Sequence, residues 1–226
     1  MIAIRTSLLL AGIMLSGAAS AELCGGPLDA NNFSRPVDYT DTARDANNVN
    51  LVERYHFSSK VEGLVAGDTA PLPMDIDYVL RQVPNHYRAL SAMAKWQLRN
   101  ARPPTAAYQT VDCYFERAFS FRPEDGNLYL LYAIYLHQKK DFSHALENYK
   151  RAETLQGGGA ELYYNVGLLY FDTGDYSQAR AYAQKAYELG YPLPGLRNKL
   201  VRAGEWSDSQ ARPQSAPPPA SPQPEK

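Results

Sequence analysis

The chain repeats itself. Laid on itself at an offset of 34 residues, the stretch 126–159 falls on 160–193. Tyr129 meets Tyr163, Tyr132 meets Val166, Ala133 meets Gly167 and Leu136 meets Tyr170. Phe142 then meets Tyr176, Ala145 meets Ala179, Ala152 meets Ala186 and Leu155 meets Leu189. Small residues coincide with small, and large apolar residues with large. Self-similarity of this period marks a unit that cannot bury its apolar face alone and must stack on its neighbours.

Each unit reads as a pair of helices. Leu128, Leu131, Tyr132 and Tyr135 have helical spacing, Lys139-Lys140-Asp141 makes a polar turn, and Ala145, Leu146, Tyr149 and Ala152 form a second apolar face. In the next unit the turn is Asp172-Thr173-Gly174-Asp175, where Gly174 suits a left-handed helix end. Antiparallel helices approach to about 8–10 Å only where the facing residue is small. Ala133, Ala145, Gly167 and Ala179 supply that contact.

On these residues the chain resembles the tetratricopeptide repeat family. Residues 160–193 carry its pattern in Tyr163, Val166-Gly167, Tyr170, Tyr176, Ala179 and Ala186, with Pro192 one place later than the family's closing Pro. Residues 126–159 have Ala133 in place of Gly and no closing Pro. A degenerate unit fits 85–125. Phe115, Ala118 and Phe121-Arg122-Pro123 are in register, but about eight extra residues around Arg102-Pro103-Pro104 part its helices. Residues 194–203 fit a shortened cap helix. The resemblance implies an all-α fold: a short solenoid of helical hairpins spanning 84–204, with an N-terminal capping region at 22–83 and a disordered C-terminal tail at 205–226. The whole sequence is also similar to secreted bacterial repeat proteins, which implies the fold and little about activity.

The ends are read from composition. Arg5, an apolar run over 7–17 and Ala19-Ser20-Ala21 make residues 1–21 a signal peptide. The run is about a dozen residues, whereas a spanning helix needs roughly 20, so no membrane span is expected after cleavage. Ala21-Glu22-Leu23 ahead of Cys24 does not make a lipobox. Export places the chain in the periplasm or outside the cell, an oxidising compartment. The two cysteines, Cys24 and Cys113, are then expected to pair, closing a loop of about 90 residues that the chain-entropy model values at roughly 4–5 kcal/mol. Residues 23–50, rich in Asp, Asn, Gly and Pro, read as an extended arm. One helix is expected over 51–65 and a short one over 75–83, with Asp75 as N-cap and Pro84 in the first turn of the next. Six of the sixteen prolines lie in 213–226, which cannot bury enough apolar area to order itself.

Chemistry is sparse. With 23 basic against 24 acidic residues, the broad basic field of a nucleic-acid binder is absent. None of the four histidines lies in a metal-ligand spacing. Asp75 and Asp77 are two apart, which turns them in different directions on a helix. Gly157-Gly158-Gly159 lacks the Lys-Ser/Thr of a phosphate loop. No enzyme, cofactor or metal is expected.

The resemblance instead points to the concave face lined by first helices. There it places Asn127, Leu130, Leu131, Ile134, His137 and Gln138 from one unit, Glu161, Tyr164, Asn165, Leu168, Phe171 and Asp172 from the next, and Lys199 from the cap. Asn165 and Lys199 match family positions that grip a peptide's terminal carboxylate, but Leu130, Ile134 and Gly195 replace the other grips, so that mode is rejected. The surface reads as apolar and aromatic with few charges. The expected function is an exported, non-enzymatic adaptor that binds a protein or peptide partner. The alternative is a homo-oligomeric structural subunit whose groove is buried between protomers or under the chain's own arm. An enzyme with an unrecognised site in the N-terminal third has least support.

Overall fold

The structure is a computed structural model that describes residues 24–28, 33–100 and 108–206. The expected signal peptide, the connection at 101–107 and the tail beyond Trp206 lie outside the described residues. Ten helices and no strand occur among those described.

The array is built from α4 (Tyr87–Arg99) and α5 (Val111–Phe121), α6 (Gly126–Gln138) and α7 (Phe142–Gln156), α8 (Ala160–Asp172) and α9 (Tyr176–Glu188), and α10 (Gly195–Arg202). The first residues of α6 and α8, and of α7 and α9, stand 34 apart, the period read from the sequence. The starts are set by side-chain caps. Thr110, Asp125, Asp141 and Asp175 each accept a backbone N–H from the first turn of α5, α6, α7 and α9, worth about 1 kcal/mol apiece. The hairpins close over small residues. Ala133, Ala145, Ala152, Ala179, Ala183 and Ala186 are all fully buried. Gly167 is the tightest such point, since a Cβ there would stand 2.5 Å from Leu196 Cδ2 and 3.3 Å from the Ala179 carbonyl. Leu196 and Leu200, fully buried, fix α10 onto α8 and α9 as a terminal cap.

The N-terminal region departs from the expected pattern. α1 spans Thr42–His56, so the last third of the segment read as extended arm is helical. Its Asp and Asn residues serve specific partners. Asp41 caps the helix by accepting from Arg44 N–H, and Asp45, fully buried, takes a bidentate pair from Arg35 and the Asp38 N–H at 2.8 Å. Those bonds hold the Asp45 carboxyl well below the usual carboxylate range. The helix expected over 51–65 is broken, because α1 ends at His56, with Phe57 as its C-cap, and only one turn, α2 (Ser59–Glu62), follows. α3 runs Leu72–Gln82, starting three residues earlier than expected, with Pro73 in its first turn. Asp75 is therefore inside the helix rather than capping it. It is fully buried and gathers the preceding loop, accepting from Thr69 N–H at 3.0 Å, Ala70 N–H at 3.2 Å and Thr69 Oγ1 at 2.7 Å. Pro84 lies in the turn before α4, whose N-cap is His86. The His86 Nδ1 accepts from Ala89 N–H and its Nε2 donates to Glu53 of α1 at 2.9 Å, so this buried ring joins α1 to the array.

Cys24 and Cys113 are bonded, with Cα atoms 5.6 Å apart. Arg117, one turn further along α5, donates to the carbonyls of Cys24 and Gly26 at 3.1 and 2.6 Å. The arm is thus held to α5 by a covalent bond and a buried guanidinium.

Candidate functional site

A concavity of about 940 Å³ lies where α6 and α10 flank α8. α8 presents Tyr164, Asn165, Leu168 and Asp172 to it. These residues recur at spacings of one, three and four, so one helix face supplies the floor. α6 contributes Ile134, His137 and Gln138, the turn after it Lys140 and Phe142, and α10 Gly195, Lys199 and Arg202.

Eight of the residues expected on this face line it: Ile134, His137, Gln138, Tyr164, Asn165, Leu168, Asp172 and Lys199. The others stand apart from it. Leu130 is only 6% exposed and belongs to the core, because α4 packs over that part of α6. Leu131 is half-buried against the same core. Asn127 and Glu161 are exposed at the helix starts, beyond the concavity. Phe171 sits behind it, 5.2 Å from the Tyr176 ring and under the Lys199 ammonium at 5.0 Å. Tyr164 reaches the groove but is 8% exposed and stacked on Tyr191 at 4.2 Å, so it is wall more than anchor. Leu168 and Ile134 keep partly exposed apolar surface.

The surface is more charged than the sequence suggested. Asp172 holds two groups at once: the His137 Nε2 donates to it at 3.1 Å and the Lys199 ammonium at 3.0 Å. Burial pushes the His137 pKa down, and Asp172 pulls the other way without cancelling it. Asn165 donates to the Glu161 carbonyl of its own helix at 2.9 Å, so its amide is engaged internally. Lys140, Phe142 and Arg202 were missed in the sequence. The alignment did carry a signal for one of them, since Lys140 falls where the next unit has Gly174. No described residue of the arm lines the groove.

Among the described residues no group of three or more His, Cys, Asp or Glu side chains could hold a metal ion, and no helix is long and apolar enough to cross a membrane.

Residues 160–189 match the family model for the tetratricopeptide repeat. This unit is a tetratricopeptide repeat by that match. The match covers α8, α9 and the residue after them, the same unit that forms the groove floor. The structure of PilF from Pseudomonas aeruginosa resembles this chain with a TM-score of 0.50 at 20% identity, over 73% of this chain and 71% of that one. At that identity the likeness is one of fold. Tetratricopeptide repeats are in general non-catalytic scaffolds that bind protein partners.

Proposed function

We propose that the chain is an exported, non-enzymatic adaptor that receives a segment of a protein partner in the groove formed by α6, α8 and α10. One observation carries this reading. A concavity of about 940 Å³ is floored by partly exposed Leu168 and Ile134 and edged by polar and cationic side chains, the combination that seats an apolar anchor while polar groups fix its orientation. The signal-like residues 1–21 and the Cys24–Cys113 bond support an oxidising location, periplasmic or extracellular.

The test uses the mature, tagged chain on envelope extract, with Leu168→Arg as the control. Leu168 is partly exposed at the edge of the cluster around Tyr164 and Leu196, and far-UV circular dichroism checks that the variant keeps its helicity. A partner retained by the wild type and lost by the variant supports the reading. Equal capture by both removes the groove from the mechanism.

A second reading has its own observation. Leu189, Leu193 and Val201 are each more than half exposed around the cap helix, apolar surface that a second copy could cover. Sedimentation at two concentrations decides it, because a strict monomer at both rules self-association out.

A further inference from the structure

Four helices of the array end in the same way. After α6, α8, α9 and α10 the chain turns left-handed at Lys140, Gly174, Gly190 and Gly204, with φ of 64°, 85°, 83° and 75°. The N–H of each donates to the carbonyl three residues back, and the next N–H to the carbonyl five back, as from Lys140 to His137 and from Asp141 to Leu136, both at 2.9 Å. Three of the four positions are Gly, for which this backbone is unstrained. Lys140 is not, and its Cβ is crowded against the following carbonyl.

Of the two other side chains with this backbone among the described residues, Ser34 at φ 64° is exposed in the arm, and Leu64 at φ 59° packs against the core. Lys140 has no such offset. Its side chain is exposed and makes no hydrogen bond or ion pair with any described residue. What it does is line the groove. Strain kept beside a cavity, with no packing to account for it, points to what the cavity receives.

Arg202, on the last turn of α10, is the second such cation. It too is exposed, lines the groove and has no carboxylate within ion-pair distance among the described residues. The remaining charges are spoken for, since Lys199 and His137 share Asp172, the one carboxylate among the described residues that line the groove. A basic segment would meet two uncompensated positive charges here, and an acidic one would meet its complement.

We propose that the groove takes a partner segment carrying acidic side chains on either side of an apolar one, with Lys140 and Arg202 pairing with the carboxylates and Leu168 with Ile134 receiving the apolar group. This rests on the adaptor reading and specifies its ligand. The recognised charges belong to internal side chains, because the groove's other ammonium, Lys199, is held by Asp172.

The experiment is selection from a short random peptide library displayed on phage through the peptides' C-termini, so that none offers a terminal carboxylate. The bait is the mature chain, alongside Lys140→Gln/Arg202→Gln and Leu168→Arg. Wild type should enrich peptides with Asp or Glu flanking a Leu, Ile or Phe. The best of them, synthesised with an amidated end, should bind the double Gln variant about tenfold more weakly, the combined effect of two partly exposed ion pairs. Its affinity for wild type should fall with added salt. Enrichment of neutral or basic peptides, or equal affinity for the double variant, overturns the proposal; where such peptides are still lost on Leu168→Arg, the adaptor reading survives it. Selection of no peptide that depends on Leu168 overturns both.

Discussion

Replacing Lys140 by Gly should make the protein more stable and a poorer binder. A side chain in left-handed backbone costs roughly 1–2 kcal/mol, and at Lys140 nothing in the structure offsets it, since the ammonium touches no carboxylate and the residue is exposed. Gly removes that strain but adds freedom to the unfolded chain, which returns about 0.5–1 kcal/mol. The difference is a gain of about 0.5–1 kcal/mol, or a rise in Tm of about 1–4 °C for a chain of this size. Urea unfolding followed by far-UV circular dichroism reads it as a higher midpoint at unchanged slope. The reciprocal change, Gly174→Lys, moves the same strain to the next unit (φ 85°) and should lower the midpoint by a similar amount. If Lys140→Gly lowers the midpoint, or Gly174→Lys leaves it unchanged, the argument from strain fails.

Three further outcomes follow from the geometry. Gly167→Ala places a Cβ 2.5 Å from Leu196 Cδ2, so it should destabilise by about 1 kcal/mol despite the similar gain in helix propensity; hydrogen exchange should show the loss concentrated in α10. Burial holds the His86 ring below its ordinary pKa of 6.5, so the unfolded chain takes up a proton that the folded chain excludes. Stability is then full above that pH and declines as pH falls below it. His86→Asn, which can still cap α4, should flatten that slope, while the separate loss below about pH 4 remains as Asp75, held down to about 2, is protonated. Cys24→Ser/Cys113→Ser should cost about 2–5 kcal/mol in denaturant unfolding; a smaller loss would mean that Arg117 alone keeps the arm in place.

The hairpins were legible because their determinants are local and periodic. Ala133, Ala145, Gly167 and Ala179 are small where helices cross, and Asp141 and Asp175 cap helices one period apart. The N-terminal region was not, because its determinants are contacts between segments distant in sequence. Asp45 looks like a loop residue until Arg35 and the Asp38 N–H are placed around it. Asp75 looks like a cap until the 68–70 loop is seen folded over it. In the groove, the positions carried over from the family include Ile134, His137, Gln138, Tyr164, Asn165, Leu168, Asp172 and Lys199, all of which line it. They misplaced Leu130, since the chain-specific packing of α4 over α6 decides its burial. They also passed over Lys140 and Arg202, which come from a turn and a cap helix rather than from the repeating face.

The bond between Cys24 and Cys113 also sets how the molecule carries tension. The bridge spans a sequence separation of 89. A pull applied at Cys24 passes directly into α5 and never loads α1 to α4, which hang inside the covalent loop. About 300 Å of contour length is thereby withheld from extension, at roughly 3.6 Å per residue. While the bridge is closed, the part of the chain that can yield to force from that end is the repeat stack from α5 onward, including the helices that form the groove. Reduction would reverse the order, and the N-terminal helices would give way first, as a slack tether in front of an intact array.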